Sequence, residues 1–319
     1  MSRILVTGAG GFIGHHLVKR LKAEGNYVLG VDLKKPDFEK TVADEFKILD
    51  LRDPHFALHA CIGMDDVYNL AADMGGIGYI TGHLADIARN NILINVNMLE
   101  AARRMRVKRY LYTSSACVYN QDKQHETAVT PLREEDAYPA LPEPGYGWEK
   151  LFAEQMAEYY RKDYSLDTRI VRFHNVYGPL GTYDGGKEKS PAALCRKIAQ
   201  GSWGSELEIW GDGLQTRSYM HIDDCVEGLR RIMESGFQLP LNLGTDELIS
   251  IDSLAHLIMS IAMKPMYIKH DLTKPQGVRG RNSDNRLLRQ ILGWEPKITL
   301  AEGLVSTYEW IHQQVSGAK

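Results

Sequence analysis

The chain has 319 residues, 44% of them apolar, with 38 lysines and arginines against 41 aspartates and glutamates. This is enough apolar sequence for the core of one large domain or two modest ones, and a formal net charge of -3 excludes the diffuse positive field that a general nucleic-acid or acidic-membrane binder needs. Cys61, Cys117, Cys195 and Cys225 form no CxxC pair and no zinc-type cluster with histidine, so they read as reduced thiols of a cytoplasmic protein, and no metal site is expected. No apolar run reaches the roughly 18 residues of a membrane helix, and "MSRILVTGAGG" enters a strand at once, so no signal peptide is expected.

The elements begin with a strand in "RILVTG", a helix in "FIGHHLVKRLKAEG" closed by a glycine, and a second strand in "YVLGVD", which together predict a βαβ unit. The alternation continues through "EFKILDL", "DDVYNLAA", a helix near 88–105, "RYLYTSS", a helix over about 146–162 and "TRIVRFHNVYG". Such alternation predicts an α/β fold of the Rossmann type, a doubly wound parallel sheet covered on both faces. After residue 180 the pattern loosens in "GPLGTYDGGKEKSP". We therefore expect a dinucleotide-binding domain over 1–180, to which later segments return, and a smaller substrate-binding lobe built mainly from 181–319. No long repeat or low-complexity tract interrupts this plan.

Gly8-Ala9-Gly10-Gly11-Phe12-Ile13-Gly14 joins the first strand to the first helix. Glycines there allow a tight turn and let a pyrophosphate approach the helix N-terminus, whose free N–H groups and dipole favour an anion. Asp32 ends the second strand, where a carboxylate bonds the hydroxyls of an adenosine ribose and repels a 2′-phosphate; this favours NAD over NADP, and Lys34 and Lys35 soften the preference without reversing it. Asp50 reads either as a partner of the adenine amino group or as a solvated loop carboxylate. Further on, Tyr146 and Lys150 stand one helical turn apart, so the ammonium can hold a nicotinamide ribose and lower the phenol pKa. With Ser115 at the end of the preceding strand they form a Ser/Tyr/Lys set able to take a hydroxyl proton as hydride leaves.

With these motifs and the blocks "NLAADMGG", "SSACVY", "RFHNVYGP", "GGKEKSPAALCRK", "WGDGLQTRS" and "GVRGRNSDN", the chain resembles the extended short-chain dehydrogenase/reductase family of nucleotide-sugar epimerases and dehydratases. Within it, the blocks are most similar to the branch that epimerises GDP-mannose at carbons 3 and 5. The resemblance implies cofactor contacts from Gly8, Gly11, Phe12, Ile13, Gly14, Asp32, Asp50, Leu51, Leu70, Ala71, Ala72, Tyr146 and Lys150. It implies substrate contacts from Gly75, Ser115, Ala116, Cys117, Asn175, Glu188, Lys189, Ser190, Lys197, Gln215, Thr216, Arg217 and Arg281, the two arginines on the pyrophosphate. The segment "NQDKQ" after "CVY" departs from the family's pattern.

The same resemblance assigns Cys117 and Lys189. Alone, a cysteine at a strand end reads as a small buried hydrophobe, and Lys187-Glu188-Lys189 as a solvated loop. Dehydratases of the family carry an acid pair where this chain has Ala116-Cys117, so the resemblance implies a thiol base, its pKa depressed by cationic neighbours, with Lys189 as the acid on the opposite face of the sugar. The implied reaction is redox-neutral: oxidation at carbon 4, inversion at carbons 3 and 5 to GDP-L-galactose or at carbon 5 to GDP-L-gulose, and re-reduction. A 4-epimerase on another nucleotide sugar and a non-catalytic dinucleotide-binding regulator are the alternatives. Leu151, Phe152, Met156, Tyr159 and Tyr160 lie on more than one face of their helix, which predicts a homodimer through a four-helix contact.

Overall fold

The structure is a computed structural model and describes residues 1–317. In chain order the first half contains β1 (Arg3–Thr7), α1 (Phe12–Ala23), β2 (Tyr27–Asp32), β3 (Glu45–Ile48), α2 (Pro54–Cys61), β4 (Asp66–Asn69), α3 (Ile77–Gly82), α4 (Leu84–Arg104), β5 (Arg109–Ser115), α5 (Tyr146–Tyr164) and β6 (Thr168–Phe173). There follow β7 (Asn175–Tyr177), α6 (Ser190–Gln200), β8 (Glu206–Trp210), β9 (Thr216–His221), α7 (Ile222–Glu234), β10 (Pro240–Leu243), β11 (Leu248–Ser250), α8 (Ile251–Ile261), β12 (Tyr267–Asp271), β13 (Gly280–Arg281), α9 (Arg286–Leu292) and α10 (Leu300–Gly317). Among the described residues, no helix is long and apolar enough to cross a membrane.

Strand β1 sits inside a seven-stranded parallel sheet of order β10-β6-β5-β4-β1-β2-β3. Four of its five residues are buried, since both faces of a wound parallel sheet are covered. The period of two distributes them: Ile4 and Val6 join Leu17, Val18 and Leu229 of α1 and α7, whereas Leu5 joins Ala57, Met98 and Ala153 of α2, α4 and α5. This is the doubly wound fold that the alternation predicts. Its order reverses beside β1, and a crevice opens there at the carboxyl ends of the strands.

The second half is less regular because its strands leave the sheet. The run "TRIVRFHNVYG" breaks at His174: β6 stays in the main sheet, and β7 pairs with β9, which also carries β11 and β13. A separate core of Leu194, Ile198, Leu207, Leu254, Ile258, Leu304 and Ile311 holds α6, α8 and α10 together. The chain then crosses back, since β10 pairs with β6 and α7 packs on α1. On α5, Leu151 is buried with Ala116, Val118, Tyr119, Leu132 and Ala137, while Phe152 and Tyr159 are exposed. Leu151 therefore belongs to a small internal core and not to an outer face.

Candidate active site

One cavity of about 970 Å³ runs along the crevice, and every residue expected at cofactor or substrate lines it except Thr216. Thr216 turns away: its hydroxyl donates to the Thr127 carbonyl at 2.5 Å.

At the dinucleotide end, Gly8 has φ +68° and no space for a side chain, since a Cβ would stand 2.8 Å from the Leu70 carbonyl carbon. The turn is thus pressed onto the end of β4, where Thr7 Oγ1 accepts the N–H groups of Leu70 and Ala71, each at 3.1 Å. Helix α1 starts with no side-chain cap, so its first-turn donors suit an anion. Asp32 Oδ2 accepts the Gly10 N–H at 2.9 Å and Oδ1 the Leu33 N–H at 2.6 Å, which fixes the carboxylate on the wall where a ribose would lie. Asp50 is chelated by Arg52, with Nη2 at 2.6 Å from Oδ2 and Nε at 2.9 Å from Oδ1, so an adenine would have to share it. Phe12, Ile13, Gly11, Gly14, Leu51, Leu70, Ala71 and Ala72 complete this end. These residues fit a dinucleotide.

In the middle of the cavity, α5 begins at Tyr146 and buries Lys150 one turn later. Lys150 Nζ donates to the Thr113 carbonyl at 3.0 Å and lies 5.5 Å from the centre of the Tyr146 ring. Beneath it the Glu149 carboxylate stands 4.0 Å away, bonded by Asn91 at 2.8 Å and Asn95 at 3.4 Å. Burial pushes Glu149 up to about 7, against the pull of Lys150 and Asn91. Burial lowers Lys150, and Glu149 opposes it. The phenol does not follow the expectation of a depressed pKa. Burial, with Glu149 and Cys117 adding to it, holds Tyr146 well above the usual tyrosine range, and only a hydrogen bond from the side of Ser115 opposes.

At the far end, Cys117 occupies a short 3-10 turn, Ala116–Val118, whose first residue is capped by Ser115 Oγ accepting the Cys117 N–H at 3.2 Å. Its expected depressed pKa is also corrected: burial pushes the thiol up, Glu143 adds to this, and Arg281, Ser115 and Lys189 pull down without winning. Arg281 Nη1 donates to Cys117 Sγ at 3.5 Å, its Nε to Gln124 at 2.7 Å, and its Nη2 pairs with Glu143. Arg217 donates to the carbonyls of Thr216 at 2.7 Å and Gln276 at 3.3 Å; burial, with Arg281 adding, brings it down to about 10.

The two lysines of the triplet part company. Lys187 Nζ lies 3.8 Å over the Tyr79 ring and 3.7 Å from Asp73. Lys189 is half-buried in the cavity wall, where desolvation lowers it and Cys117 is the first group to oppose. The triplet is held by its backbone, for the Gly76 N–H donates to the Lys187 carbonyl at 3.1 Å and a Cβ on Gly76 would stand 2.7 Å from the Glu188 carbonyl oxygen. Around them, Ser190 shares a 2.6 Å hydrogen bond with the Tyr219 hydroxyl and Asn175 donates to the Ser218 carbonyl at 3.1 Å. Gln215 donates to the Trp210 carbonyl at 3.1 Å, Glu188 accepts from Arg196 at 3.2 Å and Lys197 donates to the Glu208 carbonyl at 2.8 Å. Gly75 lies on the same wall. No group of three or more His, Cys, Asp or Glu side chains among the described residues could hold a metal.

The sequence reading missed Glu143, Glu149, Asn91 and Asn95. The last two stand at i and i+4 on α4 and Glu149 sits inside the pentapeptide that carries Tyr146 and Lys150, so helical spacing was the available signal; Glu143 had none.

The profile of the NAD dependent epimerase/dehydratase family matches residues 4–244. The chain is 49% identical to a GDP-mannose 3,5-epimerase of Arabidopsis thaliana over 99% of its own length and 84% of the relative's, and 50% identical to GDP-mannose 3,5-epimerase 1 of japonica rice, Oryza sativa, over 99% and 83%. Among solved structures, a UDP-glucose 4-epimerase of Thermotoga maritima with UDP-glucose superimposes with a TM-score of 0.87 at 28% identity, covering 98% of this chain and 99% of that one. MoeE5 in complex with UDP-glucuronic acid and NAD superimposes with a TM-score of 0.84 at 28% identity over 98% and 99%. The uncapped glycine turn, the Tyr146–Lys150 pair and the extent of these likenesses agree, and the chain belongs to the NAD dependent epimerase/dehydratase family.

Proposed function

We propose that this protein is an NAD-dependent epimerase that converts GDP-mannose to GDP-L-galactose, with GDP-L-gulose as the 5-epimer. The observation that carries the proposal is a thiol and a half-buried lysine, Cys117 and Lys189, on the same cavity as the Ser115, Tyr146 and Lys150 set. Near-50% identity to GDP-mannose 3,5-epimerases over almost the whole chain supports the substrate. Bound NAD supplies a hydride acceptor and later a hydride donor. Tyr146, once ionised, accepts the carbon 4 hydroxyl proton as the 4-keto sugar forms, which acidifies the hydrogens on carbons 3 and 5. Cys117, once ionised, removes one of these protons, and Lys189 delivers one to the other face; when hydride returns, Tyr146 gives its proton back and no outside oxidant is consumed. Arg217 and Arg281 are the cations for the pyrophosphate, a role that suits the planar guanidinium and requires their present partners to yield.

We further read residues 1–180, with β10 and α7, as the cofactor lobe and most of 181–319 as the substrate lobe. Exposed Phe152 and Tyr159 on α5 support a homodimer through α4 and α5, which a solution mass of one chain at micromolar concentration would refute. Four unbridged cysteines fit a reducing, cytoplasmic setting.

The test is incubation with GDP-mannose in deuterated water, followed by position-specific readout of label and of the epimers formed. Label at carbons 3 and 5 is expected, and Cys117→Ala should bind GDP-mannose and NAD yet incorporate almost none. A 4-epimerase would leave both carbons unlabelled, and near wild-type epimerisation by Cys117→Ala would return the thiol to a packing role.

A further inference from the structure

Glu143 has no place in the reaction as described, yet it is the carboxylate nearest the Cys117 sulfur in the chain of contacts. Its backbone N–H donates to the Cys117 carbonyl at 3.0 Å, so the two residues are tied main chain to main chain. Its side chain pairs with Arg281 Nη2, and the neighbouring Nη1 of the same guanidinium reaches Cys117 Sγ at 3.5 Å. Only 14% of the Glu143 side chain and 9% of the Arg281 side chain is exposed, so water screens this trio weakly. Gln124, holding Arg281 Nε at 2.7 Å, leaves the guanidinium one orientation.

We propose that Glu143 is a positioning residue of the active site: by gripping Arg281 and opposing its charge, it sets how strongly the Cys117 sulfur holds a proton. This rests on the acid–base role proposed above for Cys117. The groups that face the thiol are Ser115 on β5, Tyr146 and Lys150 on α5, Lys189 at the start of α6, Arg217 on β9, Arg281 on β13 and Glu143 itself. The neighbouring cations favour a thiolate, and Glu143 is the acid in the set that opposes them; it is itself held below the usual carboxylate range by Arg281 despite burial. The consequence is a thiolate that is rarer but more basic. The loss of population is the larger of the two effects, so Glu143 fixes the pH above which the base becomes available. No redox step is involved: the proton on sulfur leaves to solvent before the sugar proton is taken.

The experiment needs no sugar turnover. NAD-loaded protein is alkylated with iodoacetamide from about pH 6 to 10, a span that brackets the free-thiol value of about 8.5, and Cys117 is followed by peptide mapping. The other three cysteines are fully buried, Cys61 and Cys195 being pushed up to about 12, so they contribute little signal. Glu143→Gln removes the opposing charge and frees the guanidinium for sulfur. Its half-labelling pH should fall by about one unit, the ordinary effect of one nearby charge. Labelling at neutral pH should become several-fold faster, because thiolate population rises more than intrinsic nucleophilicity falls. Glu143→Asp keeps the charge but withdraws it by one methylene, and its midpoint should lie between the two. In turnover, Glu143→Gln should move the acid limb of the pH–kcat profile to lower pH by about the same amount, and KM should change as well, because Glu143 is the partner that Arg281 gives up to reach the pyrophosphate. An unchanged midpoint in whichever of the two variants folds and binds NAD overturns the proposal, even where GDP-mannose proves to be the substrate; failure of GDP-mannose turnover with a shifted midpoint overturns only the substrate reading.

Discussion

The two ends of the cavity are built by different means. The dinucleotide end is made from neighbours in sequence: a turn between β1 and α1, an aspartate closing β2, and the end of β4 pressed against Gly8. The sugar end is assembled from Cys117 after β5, Glu143 ahead of α5, Lys189 ahead of α6, Arg217 on β9 and Arg281 on β13. The first is a repeatable unit in which backbone N–H groups donate to the side chains of Thr7 and Asp32. In the second, Arg281 holds Glu143 and Cys117 while Arg217 holds backbone carbonyls, and the two arginines would have to exchange partners when a substrate arrives. A common means of binding cofactor is thus joined to an individual means of choosing chemistry.

The sharpest way to break this division is to silence the shared redox set. Tyr146→Phe should lose epimer and deuterium exchange together, by about a hundred- to ten-thousand-fold, because the carbon acid never forms. Retained exchange at carbons 3 and 5 would show that the sugar end works without the nicotinamide end.

A second intervention lies beneath the redox set. Glu149 is raised by burial to about 7 and is one of the groups that hold Lys150 protonated against burial. Glu149→Gln removes that support, so the Lys150 pKa falls further and the alkaline limb of the pH–rate profile should move to lower pH by about one unit. Stability changes in the other sense. A carboxyl with a raised folded-state pKa stabilises the fold below its ordinary value of 4.5 and loses that contribution as pH rises through about 7. The glutamine does not titrate, so the difference in melting temperature should move in favour of the variant across that window. A parallel pH–stability curve would show that Glu149 is not the titrating group.

The smallest effect is expected at Lys187. Its contacts with Tyr79 and Asp73 are half-exposed, and such a cation–π contact contributes roughly 0.5–1 kcal/mol. Lys187→Ala should therefore keep turnover within about threefold of wild type, the equivalent of less than 1 kcal/mol. A loss as large as that of Lys189→Ala would erase the distinction between the two lysines.

The fold and the dinucleotide end were legible because both are written in local periodicity. A continuous apolar run marks β1, helical spacing marks α1, and a glycine turn between them has few other uses. The break at His174 was not legible: "RFHNVYG" has no glycine or proline before its last residue, and only pairing with β9 draws its second half out of the sheet. Resemblance pointed to Cys117 and Lys189, and their surroundings were misjudged for a physical reason. Cationic neighbours can be counted along a sequence, but burial cannot, and burial outweighs them at both the thiol and the phenol. Glu143 was invisible for a similar reason, since its partner Arg281 lies far along the chain.

Strand β10 bears on how the protein is made. It completes the seven-stranded sheet, and until residue 243 has been synthesised β6 is an open edge with Ile170 and Val171 awaiting cover. An unpaired edge of that kind is a template for another chain. The nascent protein therefore passes through a long interval in which most of its cofactor site exists but its sheet can still add a stranger's strand, and a fragment ending at 180 would be held permanently in that interval.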